Sequence, residues 1–169
     1  MKKNRLCGSK CVLFILDKLN IEYKDIDPNL YFITDIANTL KEYIDIDLYC
    51  YNSNLYNDYK LNKLPIKEAI DSIKEYEQYK SIQEIKLTKN TLLKELKDNY
   101  LIMNVDSRII SNTETNTGHY IVVELNNDTI KVYNPEQTRF IELNKTPEEI
   151  LEMTKNNGNW RIKIRRKYD

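Results

Sequence analysis

The chain has 169 residues, the size of one domain and long enough to bury a core of its own. Its 26 Lys and Arg balance 26 Asp and Glu, so no net field draws it to nucleic acid or to an anionic membrane. Three cysteines, an odd number without a secretion signal, argue against a disulfide framework.

The amino terminus imitates a signal peptide, with Met1-Lys2-Lys3-Asn4-Arg5 before apolar residues. The apolar run at 11–16 is too short, however, and Asp17 and Lys18 follow it without a small-residue cleavage site. No stretch approaches the ~18 apolar residues of a spanning helix, so a cytoplasmic protein, or one exported by a non-classical route, that makes no membrane contact is expected. Residues 9–20 are apolar on most sides and predict a central buried helix. Thr34 and Asp35 are cap candidates for a second helix that carries Ile36, Ala37, Leu40 and Ile44. A short strand is expected at 48–51 and a loop at 52–64, which is rich in Asn and Tyr. Pro65 suits the first turn of a helix over 66–79, and Asn90 can cap another over 91–97, with a short extended piece between them.

Beyond residue 100 the texture turns to strands. Residues 100–105 are continuously apolar, as a central strand requires, and 107–117 have loop composition. Strands at 120–125 and 129–133 flank an Asn126-Asn127-Asp128 turn, and another is expected at 139–143. Thr146-Pro147-Glu148-Glu149 combines a cap, a first-turn proline and a capping-box glutamate. That helix should end near Asn157-Gly158, before a last strand over 160–167. Its basic residues, Arg161, Lys163, Arg165, Arg166 and Lys167, alternate as on the solvated face of a strand. With no repeat or linker, the pattern predicts one α+β domain over 1–169, with helices first and an antiparallel sheet after.

Three residues carry chemistry. A thiol attacks only as thiolate, and a helix amino end or a neighbouring imidazolium lowers its pKa. Cys7 is placed for the first if the helix begins near Ser9. Gly8 then lets the backbone turn sharply and a substrate carbonyl come close, and N–H groups at the helix start offer part of an oxyanion hole. His119, the only histidine, starts one strand of the hairpin and can take the thiol proton and return it to a leaving amine. Asn134 ends the neighbouring strand, where its side-chain oxygen can orient the imidazole, and Pro135 follows. Cys11 reads as a small buried hydrophobe. A competing reading gathers Cys7, Cys11, Cys50 and His119 around zinc, although no C-x2-C knuckle supports it.

Leu6-Cys7-Gly8-Ser9-Lys10-Cys11-Val12-Leu13-Phe14-Ile15-Leu16 resembles the D-C-G-x-A/C-C-L-x-M-I-L opening of the C39-like peptidases, in the papain-like cysteine protease superfamily. Gly118-His119-Tyr120-Ile121-Val122-Val123 and Ile130-Lys131-Val132-Tyr133-Asn134-Pro135 resemble that family's second block, G-H-F/Y-V-V-L and I-x-V-x-D-P. The helix at Thr34-Asp35-Ile36-Ala37 and the Asn-Pro ending are also similar to a related branch described as guanylyl cyclase-like. The resemblance implies a papain-like α+β fold and a freestanding peptidase or amidase without cofactor. It makes Cys7 the nucleophile, His119 the base and Asn134 the orienting residue, with a peptide or protein as substrate. Acyl transfer by the same triad and an inactive domain that binds a peptide are the alternatives. The family's oxyanion glutamine lies six residues before the nucleophile, where this chain has Met1, with Asn4 nearby. Asn134 stands where the family usually has Asp.

Overall fold

A computed structural model describes residues 2–136 and 139–166. In chain order the elements are α1 (Lys2–Lys18), α2 (Ile33–Leu40), β1 (Ile46–Cys50), α3 (Asn54–Lys60), α4 (Lys67–Tyr79), β2 (Gln83–Glu84) and α5 (Lys89–Leu96), then β3 (Asn99–Val105), α6 (Ser107–Ile110), β4 (His119–Asn126), β5 (Thr129–Pro135), β6 (Phe140–Lys145), α7 (Pro147–Thr154) and β7 (Arg161–Arg165). The described strands form one sheet in the order β2-β1-β7-β3-β4-β5-β6. Every neighbouring pair is antiparallel except β1 with β2.

This is a mixed α+β architecture, with one departure from the expected order. β1 and β2 come early in the chain yet join the sheet, and helices cover both of its faces. Period-two alternation sorts the strand residues. Tyr100, Ile102, Tyr120, Val122, Tyr133, Ile162 and Ile164 pack with the apolar side of α1 and with α2 and α4. Leu101, Met103, Val105, Ile121, Val123 and Val132 pack instead against Leu92 and Leu96 of α5 and Ile150 and Met153 of α7. Because both faces are covered, β3 reads as a continuous apolar run.

Local chemistry explains most element ends. Thr146 accepts from the Glu149 N–H at 3.1 Å while the Glu149 carboxylate accepts from the Thr146 N–H at 2.9 Å, so the capping box forms as the motif predicts. In the hairpin turn Asn127 takes a left-handed conformation, φ 58°, which Asn tolerates better than most residues. Other ends differ from expectation. Thr88, not Asn90, caps α5, and Pro65 lies before the Ile66 cap of α4. Thr34 and Asp35 lie inside the first turn of α2, where the Asp35 carboxylate accepts from the Phe32 N–H at 3.0 Å.

Two segments expected as loops contain helices. Ser53 accepts from the Tyr56 N–H and starts α3, which buries Tyr56 against Trp160. Asp106 accepts from the Arg108 N–H and starts the single turn of α6. The closing basic cluster is solvated only in part, with Arg165 exposed and Lys163 half-buried. β7 lies between β1 and β3, so Arg161 is wholly buried and bonded to Glu95, while Arg166 pairs with Glu124 at 3.0 Å. Lys167 lies outside the described residues. Among the described residues no helix is long and apolar enough to cross a membrane.

Candidate active site

The β4–β5 hairpin builds one half of the site. Its strands are joined at a tight turn, so His119 and Asn134, 15 positions apart, return to the same end of the sheet. Their side chains are hydrogen-bonded, His119 Nε2 to Asn134 Oδ1, at 2.6 Å, and both residues are buried. The amide oxygen only accepts, so Nε2 carries the proton and Nδ1 is left with its lone pair as the basic nitrogen.

Helix α1 supplies the other half. It crosses β4 and β5 on one face of the sheet, and Cys7 meets the strand one residue beyond the imidazole: the backbone N–H of Tyr120 donates to the sulfur. Lys10 projects from the following turn of α1, and its Nζ donates to the Glu136 carbonyl at 2.6 Å, fastening the helix to the chain just after Asn134. Tyr120 is locked beneath, its hydroxyl donating to the Tyr31 carbonyl at 2.7 Å.

The helix differs from the expected one in a way that matters. It begins by Lys2, because nothing between Lys2 and Cys7 breaks a helix, and Cys7 therefore lies in its second turn rather than at its amino end. An N–H there is committed to the carbonyl four residues back, so the Cys7 N–H is not a spare oxyanion donor. Met1 and the side chain of Asn4, the other candidates for that role, lie outside what is described. Gly8 also serves a different purpose from a sharp turn. A Cβ at Gly8 would sit 2.6 Å from the Leu30 carbonyl oxygen and 3.0 Å from Ile36 Cδ1, so glycine lets α1 pack directly on the chain ahead of α2.

Electrostatics follow from burial. Desolvation pushes the Cys7 thiol above its ordinary value, outweighing the downward pull of the Tyr120, Gly8 and Cys7 N–H groups and of the Lys10 ammonium. The expected lowering by a helix end and an imidazolium is therefore not what the site provides. Burial likewise pulls His119 below its ordinary value, against the Asn134 oxygen and the Glu136 carboxylate, which favour the charged ring. Thiol and imidazole are both neutral at rest. Ordinary thiol and imidazole values already differ by about two pH units, so moving the proton from sulfur to ring costs upwards of roughly 3 kcal/mol before a substrate is engaged.

Cys11 is buried one turn along α1 from Cys7, and Cys50 at the end of β1; burial raises both thiols, Cys50 to about 12. Among the described residues no three His, Cys, Asp or Glu side chains gather as a metal-binding group, so the zinc reading finds no cluster to rest on. Lys10 and the Tyr120 N–H are contributors that the motif reading did not single out. Lys10 was findable, since residues three apart on a helix share a face. Comparison with family models, with curated proteins and with solved structures finds no match for this chain.

Proposed function

We propose that this chain is a papain-like thiol hydrolase of peptide or amide bonds, with Cys7 as nucleophile, His119 as base and Asn134 as the residue that orients the ring. One observation carries the reading: the 2.6 Å bond that fixes the imidazole lies beside the peptide whose N–H bonds the sulfur. Asn134 holds the tautomer in which Nδ1 can accept the thiol proton. As Nδ1 takes that proton, the sulfur bonds to the substrate carbonyl carbon and the carbonyl π pair moves to oxygen. The tetrahedral intermediate then re-forms the carbonyl and expels the amine, which leaves with the proton from Nδ1. Water, deprotonated by Nδ1, cleaves the thioester and releases a carboxylic acid, and the proton returns to sulfur.

Turnover of a fluorogenic peptide library tests this. Cys7→Ala and His119→Ala should each lower kcat by roughly 10²-fold or more with an unchanged circular dichroism spectrum. Full activity in a folded Cys7→Ala protein would end the proposal.

The raised thiol and the near-complete burial of Cys7 favour a second reading, a papain-like domain that binds a peptide without cleaving it. Iodoacetamide separates the two. Modification of Cys7 that is fast at neutral pH and slowed by peptide supports the hydrolase, and a thiol that resists modification up to pH 9 supports the binding domain.

A further inference from the structure

An open hollow of about 510 Å³ lies beside Gly118, the residue that leads into His119. Four segments wall it: the start of α3, Asn104 of β3, the loop ahead of β4, and the stretch that follows α7. Its walls are dominated by side-chain amides, and their orientations are fixed by one another. Asn157 Nδ2 donates to Asn104 Oδ1 at 2.7 Å and to the Val105 carbonyl at 3.0 Å. Asn116 Nδ2 donates to Asn157 Oδ1 at 2.6 Å, and Asn116 Oδ1 accepts from the Gly118 N–H at 3.1 Å.

This chain of bonds has a direction. Because Asn104 Oδ1 is held by Asn157, the Asn104 Nδ2 group is left as a donor without a partner among the described residues. Asn157 Oδ1 uses one of its two lone pairs on Asn116. The hollow therefore offers a fixed donor and a fixed acceptor on neighbouring amides. Its single charged lining residue, Lys155, is paired with Glu152 at 2.7 Å. Gly118 turns the chain into β4 with φ +76°, a conformation that side-chain-bearing residues rarely adopt.

We infer that this hollow is a carboxamide subsite, which takes the side chain of a glutamine or asparagine in a peptide substrate. A carboxamide matches the wall atom for atom, its oxygen accepting from Asn104 Nδ2 and its NH2 donating to Asn157 Oδ1. A carboxylate finds no uncommitted cation, and an ammonium finds no carboxylate in the wall. Either would find no charge partner there to offset the hydration it gives up. The inference rests on the proposed hydrolase reading for its chemistry, but the binding preference can be measured without turnover.

The test is a titration of the intact chain with N-acetylglutamine amide and, in parallel, with the corresponding glutamate and lysine derivatives, followed through 15N-labelled side-chain amide signals. The glutamine derivative should bind at least tenfold more tightly than either charged one and should move the Asn104 and Asn157 side-chain signals. Asn104→Asp keeps an oxygen for Asn157 Nδ2 but replaces the outward donor with a charged acceptor, so it should weaken glutamine binding fivefold or more and raise the affinity for the lysine derivative. If that variant does not fold, Asn104→Ser is expected to give the same loss. Equal affinity for the three derivatives, signals that move elsewhere, or a folded Asn104 variant with unchanged affinity would each overturn the subsite. Loss of the hydrolase reading, through an active Cys7→Ala protein, would leave a measured glutamine preference standing. Catalysis that depends on Cys7 but shows no such preference would remove the subsite alone.

Discussion

Glu95→Ala is the substitution whose cost the structure fixes most closely. Arg161 is wholly buried and Glu95 nearly so, and the two meet as a fork, Arg161 Nε to Glu95 Oε1 at 2.7 Å and Nη2 to Oε2 at 2.6 Å. The guanidinium cannot shed its charge by losing a proton, so removing the carboxylate leaves an uncompensated cation in the core. Breaking such a pair costs about 3–5 kcal/mol. Here the lower end applies, because Arg161 Nη1 keeps the Ile85 and Asn159 carbonyls at 3.0 and 2.9 Å and the Tyr49 ring stays beneath the guanidinium. For a chain of this size about 3 kcal/mol corresponds to a fall in Tm of about 6–12 °C. Thermal and urea unfolding followed by circular dichroism would measure it. A double replacement, Glu95→Leu with Arg161→Met, should recover most of the loss, since apolar side chains of similar volume often substitute for a buried pair without penalty. A Glu95→Ala protein within 1 kcal/mol of the parent would refute the claim that this cation is desolvated.

Two further outcomes follow from the site. Gly8→Ala should destabilise the fold by about 1–3 kcal/mol through contact with the Leu30 carbonyl. Helix propensity alone predicts a gain of about 1 kcal/mol, so urea unfolding decides between the two by sign. His119 is neutral in the fold with its pKa held below the ordinary 6.5, so the unfolded chain binds the extra proton first on acidification. The stability it contributes is complete above about pH 6.5 and is lost as pH falls toward the folded value, with a slope of at most about 1.4 kcal/mol per pH unit. His119→Gln should remove that slope, and an unchanged pH profile in a folded variant would contradict the assigned burial.

How much of this was legible depends on the range over which each feature is encoded. The β4–β5 hairpin and the start of α7 are written in a few consecutive residues, as alternating β-branched strands around an Asn turn and as a capping box, and both stand close to where the pattern puts them. Arg161 illustrates the opposite case. Alternating Arg161, Lys163 and Arg165 with Ile162 and Ile164 reads as a strand with one wet face, and only the placement of β7 between β1 and β3 buries the first arginine. Its partner Glu95 lies 66 positions upstream on a different element, a separation no local pattern reports. α3 was hidden for another reason: its Asn and Tyr residues favour turns or strands, and a serine cap with tertiary burial of Tyr56 outweighs them.

The same division runs through the site. The imidazole and its amide partner are joined by a hairpin, so a local motif suffices to pair them. The sulfur arrives by packing of α1 across the sheet, and its chemistry depends on where that helix starts. The apolar pattern covers residues 9–20, which is why a helix start near Ser9 is the reading of the sequence. The structure has the helix under way by Lys2, and the difference decides the state of the thiol. At a helix end Cys7 would feel unpaired N–H groups and ionise readily; in the second turn those groups are bonded within the helix and burial dominates. Under the proposed hydrolase reading, a neutral thiol that must give its proton to a neutral imidazole reacts only when a bound carbonyl makes the transfer worthwhile. On that reading the reactivity of Cys7 depends on bound substrate, and for that reason iodoacetamide modification with and without peptide is the measurement that separates a hydrolase from a binding domain.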